Sequence, residues 1–187
     1  FAVFNVTNWE DTVSTDRTLD SGDENESGDE VTPVDLTFII DESGSMSGSK
    51  IQSAKYAAKR FNNALLPGDT AAVVGFEDHA SIYQGLTADR ANVNESIERL
   101  SANGGTNTGD GIRKAIETFE NGGSSDSVKE AILLADGNTN EGPDPVEQAR
   151  QASDQNITIN TVGIGDGADS SELRSIAEAT GGDYYET

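Results

Sequence analysis

The stretch that decides the fold is Leu36-Thr37-Phe38-Ile39-Ile40-Asp41-Glu42-Ser43-Gly44-Ser45-Met46-Ser47, an apolar run that ends in a carboxylate and a set of hydroxyls. The apolar run is typical of a strand that is buried on both faces. In the turn that follows, the glycine allows the backbone to bend. Asp41, Ser43 and Ser45 stand at alternate positions, so three hard oxygen donors lie where a strand passes into a helix. Mg²⁺ and Ca²⁺ prefer such donors.

Two further oxygen donors follow later parts of the chain. Thr106 comes after a pair of glycines, and Asp136 comes after the apolar run 131–135. Taken alone, the segment 41–47 is better explained as a turn followed by a helix cap. Donors that are divided among three loops rarely arise by chance, so together they favour a metal site. The predicted ligands are Asp41, Ser43, Ser45, Thr106 and Asp136.

Three motifs in this order resemble the von Willebrand factor A (vWA) family, over roughly Val34 to Thr187. They are Asp41-x-Ser43-x-Ser45, Gly104-Gly105-Thr106-Asn107-Thr108-Gly109 and Asp136-Gly137. The resemblance implies a complete metal-ion-dependent adhesion site (MIDAS). The family more often has threonine at the position of Ala135, which is not expected to be a ligand.

The resemblance also implies how the site works. The hydroxyls of Ser43, Ser45 and Thr106 approach a divalent cation, and the two aspartates act directly or through water. Mg²⁺ is the expected cation, with Mn²⁺ and Ca²⁺ as alternatives. Two carboxylates roughly neutralise such an ion, and neutral hydroxyls leave it able to accept one more anionic ligand. In the family that ligand is typically an Asp or Glu carboxylate of a protein partner.

Strand and helix patterns alternate from Val34 onward. Strands are predicted at 34–41, 70–76, 80–84, 130–136, 157–164 and 183–186, and the first helix at 49–66. The only predicted hairpin turns at 77–79. This order predicts the α/β class: a doubly wound, mostly parallel central sheet with one antiparallel edge strand and helices on both faces. Ligands of such sheets bind at the carboxyl ends of the strands, where Asp41 and Asp136 both fall.

Three regions are predicted along the chain. Residues 1–10 have the pattern of one strand, which either ends an upstream β-domain or joins the edge of the vWA sheet. Residues 11–33 are an acidic linker without aromatic residues, which cannot bury itself. Residues 34–187 are the vWA domain. Because the family fold normally closes with a helix after its last strand, this domain is expected to lack its usual final helix.

The charge of the chain excludes several partners. Thirty-four acids and twelve bases give a net charge of −22, which disfavours binding to nucleic acid and to anionic membranes. No apolar window is long enough for insertion into a membrane. Residues 1–33 contain nine acids and one arginine, so a net charge of −14 remains on the other 154 residues. An acidic, lysine-poor surface of this kind resembles proteins of salt-loving microbes.

Three functions can use a metal site of this kind. The first is a non-catalytic, metal-dependent binding or adhesion module, extracellular or on a cell surface, to which the linker and the solitary strand point. The second is an intracellular vWA protein that acts with an ATPase in a chelatase- or chaperone-like assembly. The third, a metal-dependent hydrolase, is disfavoured because no general base or nucleophile lies beside the cation. The only histidine, His79, falls in the hairpin turn.

Two other motifs near these residues are incomplete. The segment from Gly44 to Lys50 is one residue too short for a phosphate-binding loop. An EF-hand pattern begins at Asp136, but Glu141 replaces its required glycine. Asp144 and Glu147 are better explained as a helix cap, and the same holds for Asp169 and Glu172. Neither motif therefore adds a second site.

Overall fold

Strand β1 (Val34–Asp41) lies in the middle of the sheet, and every residue of it after Val34 is buried. The computed structural model describes residues 32–137, 139–165 and 170–186. The predicted strand at 1–10 and all but the last two residues of the predicted linker at 11–33 lie outside the described residues. Residues 33–187 form one compact unit.

Five further strands complete the sheet. They are β2 (Thr70–Phe76), β3 (Ala80–Thr87), β4 (Val128–Ala135), β5 (Ile157–Gly163) and β6 (Tyr184–Glu186). Their spatial order is β3-β2-β1-β4-β5-β6. Only the pairing of β2 with β3 is antiparallel, and it forms the predicted hairpin. The predicted fold class is therefore confirmed: the sheet is mostly parallel, with one antiparallel strand at its edge.

Helices cover both faces of this sheet. They are α1 (Ser49–Ala64), α2 (Arg90–Arg99), α3 (Thr108–Gly122), α4 (Pro145–Asp154) and α5 (Ser170–Thr180). Helices α1 and α2 pack with Phe38 and Ile40 of β1 in one apolar cluster. Helices α3, α4 and α5 pack with Ile39 in the other. Alternate residues of β1 thus serve the two cores, as the two-residue period of a strand requires. No helix among the described residues is both long and apolar enough to cross a membrane.

The ends of the elements follow local chemistry. Helix α1 ends two residues earlier than predicted, because the residue before Pro67 disfavours the helical conformation. Asp144 caps α4, and its carboxylate accepts hydrogen bonds from the amides of Val146 and Glu147. Strand β4 begins at Val128, two residues before its predicted start, and ends at Ala135. The predicted cap at Asp169 lies outside the described residues.

The chain order reverses between β1 and β4, which are neighbours in the sheet. Parallel pairing places Ile40 beside Leu134, so Asp41 and Asp136 both emerge at the same edge. Asp41 is also level with Phe76, the last residue of β2. The carboxyl edge of the sheet at this reversal is where such folds bind ligands.

Candidate metal centre

Asp41 is the most buried acidic group at this edge, with a relative exposure of 0%. Its Oδ1 accepts a hydrogen bond of 2.7 Å from the amide of Ser43. Its Oδ2 is buried and has no hydrogen-bond partner among the described residues. Burial raises the pKa of Asp41 to about 6; its hydrogen bonds with Ser43 oppose this rise, and the charge of Asp136 adds to it. A buried carboxylate oxygen without a donor is costly, and a cation would satisfy it.

The hydroxyls of Ser43 and Ser45 and the carboxylate of Asp136 form a chain of hydrogen bonds. Ser45 Oγ donates to Asp136 Oδ1 at 2.7 Å. Ser43 Oγ lies 2.9 Å from Ser45 Oγ. Because the single proton of Ser45 goes to Asp136, Ser43 is the donor in this second hydrogen bond. Hydrogen bonds thus bring four of the five predicted ligands together, from the ends of β1 and β4.

Thr106, the fifth predicted ligand, is joined to this group through the backbone. It lies just before α3 and is buried. Its amide donates to Asn140 Oδ1 at 3.0 Å, and its carbonyl accepts from the amide of Asn140 at 3.0 Å. The amide of Gly44 donates to the carbonyl of Gly104 at 3.1 Å. The loop that contains Thr106 therefore also contacts the serine loop, residues 41–47. All three predicted loops are therefore adjacent.

The glycine at position 104 is required by the backbone. Gly104 has φ +71°, a conformation that side chains disfavour, and an added Cβ would collide with the Glu77 carboxylate. The following residue, Gly105, donates its amide to Asp78 Oδ1. The double glycine of the motif therefore lets the β2–β3 turn and the serine loop approach Thr106 from two sides.

Sequence reasoning missed several residues that hold the loops. Glu42 is buried, and its Oε1 accepts hydrogen bonds from the amide of Ser101 at 2.7 Å and from the Tyr83 hydroxyl at 3.2 Å. Burial raises the pKa of the Glu42 carboxyl, which these hydrogen bonds oppose. Asn107 caps α3 and donates from Nδ2 to the carbonyl of Asp78 at 3.0 Å. Each contact joins distant segments, so no local pattern predicts it.

Lys50 is the least expected neighbour of the site. Its ammonium forms an ion pair with Oδ2 of Asp136. In the sequence it closes the segment 44–50, which is one residue too short for a phosphate-binding loop. The structure gives it a different partner, an acidic one. The only sequence signal is a basic residue in the first turn of a helix, where no acidic residue is present.

The contacts around Asp144 and Asn140 favour the helix cap over an EF-hand. Asp144 Oδ1 accepts from the first turn of α4, and Glu147 forms an ion pair with Arg150. Asn140 is engaged with Thr106. Within the described ranges no group of three or more His, Cys, Asp or Glu side chains is placed to hold a metal. The donor set at the sheet edge is instead two carboxylates with hydroxyls, which suits hard cations.

Comparison with known proteins gives a consistent result. The family model of the von Willebrand factor type A domain matches residues 35–187. An uncharacterized protein of Synechocystis, sll0103, is 31% identical over 154 residues, which cover 80% of this chain and 36% of that protein. A von Willebrand factor type A structure from Catenulispora acidiphila has 35% identity and a TM-score of 0.75, covering 83% of this chain and 39% of that one.

A third relative has a metal in its site. Proximal thread matrix protein 1 from the mussel byssus, with a zinc-occupied MIDAS motif, has 27% identity and a TM-score of 0.72, covering 82% of this chain and 41% of that one. The chain spans about 40% of the length of each of these three proteins. Domains of this type mediate protein–protein interactions and typically bind a divalent cation. With its sheet and its three adjacent loops, the chain belongs to the von Willebrand factor type A domain family.

Proposed function

We propose that this domain is a metal-dependent protein-binding module that engages an acidic group of its partner through a divalent cation. The observation that carries the proposal is the Oδ2 atom of Asp41, which is buried and has no donor among the described residues. It lies in a group of oxygen atoms that contains a second carboxylate and two hydroxyls. These donors fit a hard cation such as Mg²⁺, with Mn²⁺ or Ca²⁺ as alternatives.

The five proposed ligands differ in what they would supply to the cation. Asp41 and Asp136 supply negative charge, and Ser43, Ser45 and Thr106 supply neutral oxygens. A bound cation would retain part of its charge and so attract a carboxylate from a partner protein. The backbone contacts between Asn140 and Thr106 hold the third loop in place for this purpose.

The proposed role is binding rather than catalysis. The hydroxyls of Ser43 and Ser45 form hydrogen bonds with each other and with Asp136, a carboxylate that is already paired with Lys50 and that we assign to the cation. The single histidine of the chain, His79, lies in the β2–β3 turn, where its carbonyl accepts from the amide of Glu77. A serine nucleophile would need a base that is free to take its proton, whereas the carboxylate beside Ser45 is held in an ion pair.

The proposed location is outside the cell or on its surface. The acidic linker and the strand pattern before Val34 support it, and so does the relative from the mussel byssus. The alternative is an intracellular vWA protein that works with an ATPase. The sequence that flanks this domain in its gene distinguishes them, since an export signal supports the first location and an ATPase domain supports the second.

Metal binding is tested by calorimetric titration of chelator-treated protein with Mg²⁺, Mn²⁺ and Ca²⁺. One principal site is expected, and Asp136→Ala should remove it while the circular dichroism spectrum is retained. Asp126→Ala is the matched control, because Asp126 is exposed and precedes β4, at the opposite edge of the sheet. Binding that survives Asp136→Ala would contradict the proposal.

The ligand chemistry is tested with acetate as a probe of carboxylate recognition. In Mg²⁺, acetate should shift the backbone amide resonances of the 41–47 loop and of Thr106. It should leave them unchanged in EDTA and in Asp136→Ala. Equal shifts with and without Mg²⁺ would show that the anion does not bind through the cation.

A further inference from the structure

Lys50 is a basic residue at a place where a base is unfavourable. It is the second residue of α1, and the amino-terminal end of a helix already carries partial positive charge. Its ammonium nevertheless forms an ion pair with Asp136, whose side chain is only 2% exposed, whereas the Lys50 side chain is 36% exposed. The lysine therefore extends from solvent to a buried carboxylate.

The aliphatic part of Lys50 is also held in place. Gly165, just after β5, has φ +89°, and a Cβ at this position would lie 3.0 Å from Lys50 Cε and 3.6 Å from its Cδ and Cγ. The Lys50 side chain thus passes next to the backbone of Gly165 before it reaches Asp136. The approach of Gly165 gives the aliphatic part of Lys50 a neighbour on its way to the site.

We propose that Lys50 is a built-in counter-ion of the metal site, which neutralises Asp136 in the metal-free protein and competes with the divalent cation for it. The inference rests on the proposed function, because it takes Asp136 to be a metal ligand. With the ammonium in place, the two carboxylates and the lysine carry a net charge of −1 instead of −2, so the site attracts a cation less strongly. Because the Lys50 side chain is partly exposed, its ammonium can move into solvent while its stem stays beside Gly165.

The competition is tested by the affinity of Lys50→Met for Mg²⁺ and Mn²⁺, measured by calorimetry at about 0.15 M salt. Methionine keeps the length of the side chain and removes its charge. Loss of a positive charge beside the cation should tighten binding on the order of tenfold. Lys50→Arg, which retains the charge, should bind within a few-fold of the wild type.

Lys59→Met is the matched control. Lys59 lies on the same helix, forms an ion pair with Glu98 and has a side-chain exposure of 30%. It is nine residues beyond Lys50, about 13 Å along the helix axis. That separation exceeds the screening length of about 8 Å at this salt concentration, so Lys59→Met should leave the affinity unchanged. Unchanged or weaker binding by Lys50→Met would overturn the competition.

The metal-free state is tested separately, in EDTA. Lys50→Met should lower the melting temperature by about 2–6 °C, because a buried carboxylate loses its counter-ion. In an Asp136→Asn background the same substitution should have little effect, and an equal loss in both backgrounds would contradict neutralisation of Asp136. If no form bound a divalent cation, the proposed function and the competition would both fail. The melting comparison would still decide whether Lys50 neutralises Asp136.

Discussion

Strand β1 carries a buried aspartate near each end, and the two aspartates differ in how many of their carboxylate oxygens accept a hydrogen bond. Asp35 accepts hydrogen bonds from the Thr70 hydroxyl at 2.6 Å and from the Ser124 amide at 2.7 Å, one to each carboxylate oxygen. Asp41 accepts on Oδ1 from the amide of Ser43, while its Oδ2 has no partner among the described residues. The exposures are almost the same, 2% and 0%.

The difference shows that two equally buried carboxylates on one strand can differ in whether both of their oxygens are used within the fold. Asp35 connects β1 to β2 and to the loop before β4, so both of its oxygens are used within the fold. Asp41 is desolvated without full compensation, and its pKa is raised to about 6. Groups with perturbed pKa values cluster at functional sites.

The largest expected effect comes from Asp41→Asn. Without the carboxylate, affinity for Mg²⁺ should fall by more than about 100-fold, since a charged ligand is lost. The metal-free protein should become more stable by about 1–3 kcal/mol at pH 7. The sign follows because a carboxyl whose folded pKa lies above its unfolded value destabilises the fold once it is ionised. Calorimetry measures the first effect, and urea unfolding in EDTA the second.

Asp126→Asn is the control for this pair of measurements, since it removes an exposed carboxylate at the other edge. It should change neither the affinity nor the stability appreciably. A loss of metal-free stability in Asp41→Asn would show that Asp41 is a structural residue like Asp35, and the comparison would collapse.

The opposite result is expected for Asp35→Asn. An amide cannot accept from both Thr70 and Ser124, so one buried donor would lose its partner. Stability should fall by about 2–3 kcal/mol. The affinity for Mg²⁺ should stay within about twofold of the wild type, because the site lies at the other end of the strand. Weakened metal binding in a variant that is still folded would show that the two ends of β1 are coupled.

The fold was predictable because its signals are local. Strands β1 and β2 have the predicted bounds, since each is an apolar run between polar turns. The prediction was less accurate where the local signal is weak. Strand β4 starts with the exposed Val128, and its first residues are not an apolar run. Pairing with β1, which sequence periodicity cannot reveal, brings them into the sheet.

The site was predictable only in part. The five proposed ligands were found through the spacing of motifs at loop positions, and the structure brings their loops together. The residues that support them were not found, because their contacts span the chain. Lys50 contacts Asp136 across 86 positions, and Glu42 contacts Ser101 across 59. A sequence pattern identifies donors at strand ends, whereas the partners of those donors depend on which loops the sheet order makes adjacent.

The dependence of stability on salt distinguishes the contribution of the surface acids from that of the buried ones. Residues 34–187 carry a net charge of −14. Added NaCl or KCl should screen their repulsion as the Debye length falls from about 30 Å at 0.01 M to about 3 Å at 1 M. We expect stability to rise by about 1–2 kcal/mol, or about 3–6 °C in melting temperature. A flat or falling melting temperature would remove the argument for adaptation to salt.

Measurements at low and high salt also test the comparison of Asp35 with Asp41 on β1. Buried interactions are screened much less than exposed ones. The difference in unfolding free energy between the wild type and Asp35→Asn should therefore be the same at low and at high salt. A difference that shrank with salt would indicate that Asp35 acts through long-range charge rather than through its two hydrogen bonds.

Asp110 provides the smallest and most specific test, because it is a satisfied carboxylate near the metal edge. It lies in the first turn of α3, and its Oδ2 accepts from the amide of Ala80 at 2.7 Å. Its Oδ1 accepts from Nε of Arg113 at 2.9 Å. Burial acts to raise the pKa of Asp110, but these hydrogen bonds outweigh it and hold the pKa below its ordinary value of 3.8. Asp110 thus resembles Asp35 in its hydrogen-bond partners, although it lies at the same edge of the sheet as Asp41.

Asp110→Asn should therefore lower stability, by about 1 kcal/mol at pH 7, through the loss of charge-assisted hydrogen bonds. A carboxyl with a depressed folded pKa stabilises the fold above its unfolded pKa and loses this contribution as the pH falls through the folded value. The deficit of Asp110→Asn, measured by urea unfolding in EDTA, should thus be constant above about pH 5 and shrink below about pH 4. If the variant were instead more stable than the wild type, as expected for Asp41→Asn, then location at the metal edge would decide the role of a buried carboxylate. A deficit that shrinks in acid would show that the hydrogen-bond partners of a buried carboxylate decide its role.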